Sequence, residues 1–287
     1  MKPPFTSCGT SRTCLLFSLG FFLCMVWSGS AASNDVVISV DARGFGGASA
    51  KDIEKVLRSV AREMLACFPG RQLRPILVEY TDAGSPITKY KPGPKGETVV
   101  ALNAHETYWA QYAYQFAHEL THILANYERT AVGVNANQWF EESVCETASL
   151  FVLSRMAASW KTDPPYPNWR SFAPKLQDYV DKLKTEPHRQ LPAGLTLAAW
   201  YKSHAAELRR NGVDRKMNAL VAAQLLQLLE EKPENWAAFA FLNLGTMEKE
   251  ESFQKYLARW NQAAPKHLRD FVGQVAELFE TKISPGE

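Results

Sequence analysis

The sequence predicts an α+β fold, in which a small mixed α/β half is followed by an all-α half. Short β-branched segments of alternating polarity occur in the first part of the chain. From residue 172 onward the apolar residues instead recur at helical spacing, with no strand pattern. The 287 residues, 46% of them hydrophobic, are enough for a core in one or two domains. We expect these at residues 33–132 and 133–287, after a leader at residues 1–32.

The α/β half begins with a β-branched, alternating segment at residues 36–40, which predicts a first strand. A helix is predicted over residues 51–68, where helical periodicity continues until Pro69-Gly70 ends it. Further strands are predicted at residues 74–80, 86–90 and 97–103. The last of these lies shortly before a long helical segment.

The all-α half begins with a helix predicted over residues 139–160. The proline-rich segment at residues 163–169 then interrupts the helical pattern, either as a linker or as a loop folded over a cleft. Six further helices are predicted, at residues 173–184, 196–210, 214–231, 235–244, 250–262 and 266–280.

The first 32 residues have the organisation of an export signal. Lys2 and Arg12 precede an apolar run from Leu15 to Trp27, and small residues up to Ala32 follow it. This order predicts cleavage after Ala32 and an exported protein, whether secreted, periplasmic or on the cell surface. Because the apolar run is short for a membrane span, we expect no stable membrane insertion after cleavage, and an uncleaved anchor is the alternative.

The charge balance gives no indication of a polyanionic partner. The chain has 32 basic and 30 acidic residues, and loss of Lys2 and Arg12 with the leader would bring the two numbers level. Nucleic acid and anionic membrane surfaces are therefore not expected as partners.

Two of the five cysteines, Cys67 and Cys145, would remain after cleavage of the leader. They could pair in an oxidising compartment. Alternatively, Cys145 could be a small buried hydrophobic residue.

The helix that follows the last predicted strand contains the motif His118-Glu119-x-x-His122. Positions four apart lie on one face of a helix, so the two imidazoles can bind one ion together. Glu119 lies beside the first histidine and can reach a water on that ion. This spacing is typical of zinc hydrolases, in which the carboxylate is the general base. The alternative is a chance occurrence of the spacing.

A zinc site of this kind needs a third ligand, and the next helical segment offers one. That segment begins Trp139-Phe140-Glu141-Glu142-Ser143-Val144-Cys145-Glu146. A glutamate from a neighbouring helix completes a His/His/Glu set and leaves the fourth position open for water. Glu146, one turn after Glu142, could hold a ligand histidine in its tautomer, or it could be a solvated surface carboxylate.

The motif His118-Glu119-x-x-His122, followed by Trp139-x-x-Glu142, resembles the gluzincin metallopeptidases, the group of thermolysin and aminopeptidase N. The resemblance covers roughly residues 97–156. It implies a zincin-like fold, one Zn²⁺ ion and a peptide or protein substrate. It also implies a strand beside the zinc helix that binds the peptide through its main chain. Residues 97–103 are similar in position to that strand, or they form an ordinary core strand.

The resemblance further implies a tyrosine or histidine from the helical half that stabilises the oxyanion. Tyr201 and His204 are the candidates, and exposed positions on a surface helix are the alternative interpretation for both. The other histidines downstream of the leader, His105, His188 and His267, are interpreted as structural or exposed.

Two arguments compete over the third ligand. The number of residues after His122 matches the aminopeptidase-like enzymes for Glu141 and is one larger for Glu142. In the resembling enzymes, however, the ligand stands three residues after the tryptophan, which gives Glu142. Helix geometry agrees, because Glu142 shares a helix face with Glu146. We therefore expect Glu142 rather than Glu141 to bind the metal.

The sequence thus predicts an exported zinc metallopeptidase with Glu119 as the general base. The alternative from another class is a non-catalytic descendant of the peptidase fold, which keeps the zinc and acts as a peptide- or protein-binding module. A scaffold protein with a chance motif is the third hypothesis. The intact Glu119 favours the enzyme.

Overall fold

Four short strands form one sheet in the computed structural model, which describes residues 36–130 and 135–283. The strands are β1 (Ile38–Val40), β2 (Ile76–Tyr80), β3 (Ile87–Lys89) and β4 (Thr98–Leu102). Their order across the sheet is β1-β2-β4-β3. Strands β1, β2 and β4 run parallel to one another, whereas β3 is antiparallel to β4. Each strand falls within a segment that the sequence predicts as a strand.

The position of β4 corrects one expectation from the sequence. β4 lies inside the sheet, because β2 pairs with one side of it and β3 with the other. All five of its residues are buried, as expected for a strand covered on both faces. The segment 97–103 is therefore an ordinary core strand and not the peptide-binding edge strand. The edge on this side of the sheet is β3, where Thr88 pairs with Val100.

Eight α-helices make up most of the remaining described residues. They are α1 (Ala50–Leu65), α2 (Trp109–Leu124), α3 (Gln138–Ser159), α4 (Ala173–Lys184), α5 (Leu197–Arg210), α6 (Arg215–Glu231), α7 (Phe253–Ala263) and α8 (Lys266–Leu278). Seven of them lie close to their predicted bounds, and α2 is the helix predicted to contain the motif. The predicted helix 235–244 differs, because Pro233–Phe241 forms a 3₁₀ helix. Leu242 is already extended, and Asn243 after it has a left-handed φ of 60°.

Helix α3 lies at the centre of the helical part. It packs against α2, α4 and α6 and also reaches α1. Its side chains are buried on nearly all sides, so it lacks the single apolar stripe of a surface helix. Helix α2 packs one apolar face inward, including Tyr112, Phe116 and Leu120. The pair α2 and α3 therefore occupies the interior, and a polar group between them is held away from bulk water.

The proline-rich segment at residues 163–169 does not fold over a cleft. Trp169 stacks on Trp109 at the start of α2, with ring centroids 5.1 Å apart, and it also packs on Trp160 just after α3. Through these ring contacts the segment packs against the start of α2 and the end of α3. It acts as a connection between α3 and α4.

The described residues belong to one compact unit, a mixed α/β structure with a mostly helical remainder. The predicted leader at residues 1–32, and the predicted boundary between residues 132 and 133, both lie outside the described residues. Among the helices of the described part, none combines the length and the apolar character that crossing a membrane requires. Cys67 and Cys145 are both buried and do not form a disulfide.

Candidate metal and catalytic site

The packing of α2 on α3 brings the motif residues into one cluster. His118, Glu119 and His122 lie on α2, and the centroids of the two imidazole rings are 5.1 Å apart. The hydroxyl of Ser149 on α3 donates to the backbone carbonyl of Tyr114 on α2, at 2.9 Å. A small residue at this contact lets the helices approach closely. The acidic residues of α3 thereby face the two histidines.

Glu142 lies between the two histidine rings. Its Oε2 is 3.2 Å from Nε2 of His118 and 3.7 Å from Nε2 of His122. Burial by itself would raise the pKa of Glu142, but His122 and His118 outweigh it and lower that pKa to about 2. The site thus contains an ionised carboxylate that faces one nitrogen of each imidazole.

Glu141 contacts the other nitrogen of His122. Its Oε1 is 2.7 Å from Nδ1 of His122, and only 3% of Glu141 is exposed. When Nδ1–H donates to this carboxylate, the lone pair of Nε2 is left on the side of Glu142. A carboxylate behind a histidine in this way fixes the tautomer and the orientation of the ring. The sequence analysis offered Glu146 as a candidate for that role, with a solvated surface carboxylate as the alternative.

Glu146 has a different set of partners. It accepts hydrogen bonds from the Tyr114 hydroxyl at 2.6 Å and from Nη1 of Arg189 at 2.6 Å. Its Oε2 is 4.0 Å from Nδ1 of His118, which is beyond hydrogen-bond reach. Burial would lower the pKa of Arg189, but Glu146 and Tyr114 together raise it above its ordinary value. Glu146 is therefore neither a surface carboxylate nor a direct hydrogen-bond partner of a histidine.

Cys145 is a member of the cluster that the sequence analysis did not count as a metal ligand. Its Sγ and one ring nitrogen from each of His118 and His122 all lie within 4.8 Å of one another, so these three residues could hold a metal ion. Cys145 is fully buried, and burial raises its pKa to about 12. The signal was present in the sequence, because Cys145 follows Glu142 by three positions and shares its helix face.

Glu119 is held by the edge strand of the sheet. It is 3% exposed, and its Oε2 accepts a hydrogen bond of 2.8 Å from the hydroxyl of Thr88 on β3. Thr88 is itself buried. The contact holds the carboxylate of Glu119 in place, and no sequence pattern indicated it.

A cavity of about 970 Å³ gives access to this cluster. The motif residues and the acidic residues of α3 that line it are His118, Glu119, His122, Glu141, Glu142 and Glu146. Ile87 and Thr88 of the edge strand and His188 and Arg189 of a 3₁₀ helix line it as well. His188, which the sequence analysis treated as structural or exposed, therefore belongs to the cavity wall.

The structure does not bring the two candidate oxyanion donors to this cavity. Tyr201 packs its ring against Trp139 and Phe279, with centroids 5.3 and 5.2 Å away. His204 stacks on Trp200 and contacts its backbone carbonyl through Nδ1 at 2.8 Å. Among the described residues, neither belongs to the cavity lining. Both side chains of α5 instead pack against aromatic residues outside the cavity lining.

Comparisons of this chain with protein-family models, with curated proteins and with solved structures find no match.

Proposed function

We propose that this chain is an exported zinc metallopeptidase with a zincin-like fold, in which Glu119 is the general base. One observation carries the proposal: Oε2 of Glu142 faces Nε2 of both histidines of the H-E-x-x-H motif, 3.2 and 3.7 Å away, at the wall of a cavity. Export is supported by the leader-like organisation of residues 1–32.

The chemistry of the donor set fits zinc. Two imidazoles and one carboxylate, with a further position open, form the ligand set of many zinc hydrolases. The carboxylate of Glu141 behind His122 matches the partner that a zinc-bound histidine usually has. Glu142 is preferred over Cys145 as the third ligand because Glu142 lines the cavity, whereas Cys145 is fully buried and does not. A catalytic metal must be reached by its substrate.

The cavity and the edge strand support a peptide as the substrate. The volume of about 970 Å³ suits several residues of an extended chain. Within the described residues, β3 pairs only with β4, so its other side has no strand partner. Ile87 on β3 is 51% exposed and lines the cavity. An exposed strand edge can bind an extended peptide through main-chain hydrogen bonds, whatever the side chains are.

The residues of the chain divide the chemistry between them. Zinc, when bound, would lower the pKa of a coordinated water and polarise the substrate carbonyl. His118, His122 and Glu142 would hold it. Glu119 would take the proton from the attacking water and deliver it to the leaving amine. Thr88 keeps the Glu119 carboxylate in place for both steps.

Metal analysis combined with a peptide-library digest tests the proposal. Purified protein should contain one zinc per chain and cleave members of the library. Glu119→Gln should retain the zinc and lose most of the cleavage. Zinc bound without any cleavage would favour the non-catalytic binding module, and the absence of stoichiometric zinc would contradict both functions.

A further inference from the structure

A buried chain of hydrogen bonds runs from the candidate metal site into the C-terminal helices. Glu141, whose Oε1 contacts His122, accepts a second hydrogen bond at Oε2 from Nδ2 of Asn243, at 2.7 Å. The hydroxyl of Tyr256 on α7 donates to Oδ1 of Asn243, at 2.9 Å. Asn243 and Tyr256 are both fully buried. The order of the chain is therefore His122, Glu141, Asn243 and Tyr256.

Both polar atoms of the Asn243 side chain have hydrogen-bond partners. Its second amide hydrogen is donated to the backbone carbonyl of Ala125, 3.0 Å away, at the end of α2. Both Nδ2 partners are acceptors and the Oδ1 partner is a hydroxyl donor, so the orientation of the amide is determined. Asn243 has a φ of 60°, a left-handed conformation that costs energy for residues other than glycine. The surrounding structure keeps it there nevertheless.

The consequence for the metal site follows from the two oxygens of Glu141. Asn243 donates a hydrogen bond to Oε2 of Glu141, so Oε1 of Glu141 accepts from Nδ1–H of His122. With this carboxylate held at both oxygens, the imidazole cannot turn without breaking a buried hydrogen bond. An unpaired buried polar group is costly, so the ring stays in the orientation that directs Nε2 towards Glu142.

We propose that Asn243 and Tyr256 are positioning residues that hold His122 for metal binding through Glu141. The inference rests on the proposed zinc site, although not on peptide hydrolysis. Residues in the C-terminal part of the chain, more than 100 positions after the motif, would thus contribute to the metal affinity.

The chain offers a matched control in Asn126. This residue is also buried and left-handed, with a φ of 63°. Its Nδ2 donates to the backbone carbonyls of Ala240 and Leu242, at 2.9 and 2.8 Å. It therefore joins the same two segments as Asn243, but through contacts that do not include Glu141 or His122. Both asparagines can be replaced by glycine, which tolerates the left-handed conformation.

The test compares zinc affinity with the stability of the metal-free protein. Asn243→Gly, Tyr256→Phe and Asn126→Gly are titrated with zinc against a competing chelator, and each metal-free variant is melted. Asn243→Gly should weaken zinc binding measurably, by less than the roughly 10- to 100-fold expected for loss of Glu141, the direct partner of the ligand histidine. Tyr256→Phe should weaken it less, since Asn243 keeps its bond to Glu141. Asn126→Gly should lower the melting temperature with nearly unchanged zinc affinity.

Two outcomes would overturn the inference. One is an unchanged zinc affinity in Asn243→Gly. The other is an equal loss of affinity in Asn243→Gly and Asn126→Gly, which would make the effect one of general stability. Failure of the zinc site itself is a separate result, because zinc would then bind His122→Ala as well as it binds the unchanged chain.

Discussion

Glu141 and Glu142 contact opposite nitrogens of His122. Oε1 of Glu141 is 2.7 Å from Nδ1, and Oε2 of Glu142 is 3.7 Å from Nε2. Adjacent residues on a helix point in directions about 100° apart, so two neighbouring carboxylates can reach two sides of one ring. The competition between the two glutamates for the ligand position thus becomes a division of roles: Glu142 faces the site, and Glu141 supports the histidine.

Loss of either motif histidine should empty the metal site. His118→Ala and His122→Ala should each contain far less than one zinc per chain, because an imidazole ligand is missing. In the unchanged chain, zinc at 100 times its dissociation constant should stabilise the fold by about 2.7 kcal/mol. This corresponds to a rise of roughly 5–10 °C in the melting temperature. His188→Ala is the control, since His188 lines the same cavity but contacts Glu186 rather than Glu141 or Glu142. Equal metal content in all four proteins would contradict the site.

The third ligand can be identified with three variants. Glu142→Ala should cost most of the zinc affinity. Glu141→Ala should cost about 10- to 100-fold, as expected for the partner of a ligand histidine. Cys145→Ala should leave the affinity nearly unchanged, because Cys145 does not line the cavity. Chelator competition gives the three dissociation constants. A greater loss in Cys145→Ala than in Glu142→Ala would assign the metal to the His-His-Cys group instead.

Glu119→Gln should abolish most peptide hydrolysis and leave the zinc bound. General bases contribute on the order of 10²–10⁴-fold to a rate, and the amide cannot accept the proton. Thr88→Val keeps the shape of the side chain and removes the hydrogen bond to Oε2 of Glu119. It should lower kcat less than Glu119→Gln does. The turnover of one library peptide measures both effects, and an unchanged kcat in Glu119→Gln would remove Glu119 from the mechanism.

Zinc binding should become stronger as the pH rises. Burial by itself would lower the pKa of His122, but the ionised Glu142 and the hydrogen bond to Glu141 raise it well above its ordinary value of 6.5. The ring of the metal-free protein therefore carries a proton that zinc must displace. Calorimetry in buffers of different ionisation enthalpy should show about one proton released per zinc at neutral pH. An affinity independent of pH between 6 and 8 would contradict this.

The same shift has the opposite effect on the metal-free protein. A group whose pKa is raised by folding stabilises the fold fully below its unfolded pKa, here 6.5, and loses that contribution as the pH rises through the folded pKa. For Glu142 the pKa is lowered from 4.5 to about 2, so its contribution is lost as the pH falls through that interval. Metal-free protein should therefore melt at lower temperature on either side of a broad optimum. Melting curves with a chelator present measure this.

Breaking the buried ion pair beside the site should be costly. Arg189→Met would leave Glu146 buried with only Tyr114 as a donor, and removal of one partner of such a pair costs about 3–5 kcal/mol. Combining it with Glu146→Gln should recover part of the loss. Lys184→Met, which removes a more exposed pair with Glu230, should cost at most about 1 kcal/mol. Urea unfolding measures all three. Equal losses in the two single variants would show that Arg189 does not support Glu146.

Helical periodicity predicted most of the α-helices, but its prediction was wrong for a segment whose conformation depends on long-range contacts. The bounds predicted for the helix at residues 173–184 agree fully with α4, because its apolar stripe is local information. The segment 235–244 was also predicted as a helix from its apolar pattern, but it forms a 3₁₀ helix that ends near the left-handed Asn243. The amide of Asn243 is bound by Ala125 and Glu141, far away in the chain.

The sequence by itself determined the cluster on α2, because helix geometry places His118 and His122 on one face whatever surrounds them. It also placed Glu141, Glu142 and Cys145 on one short segment of α3, without showing which nitrogen each would meet.

Only the tertiary structure decided those pairings, and only it brought in Thr88, Arg189 and Asn243. The contacts join residues separated by 31, 43 and 102 positions in the chain. No local periodicity encodes such pairs, because they depend on how the buried faces of separate elements pack on one another. The same reason applies to the sheet: β3 pairs with β4, so β4 lies in the interior of the sheet and not at its edge.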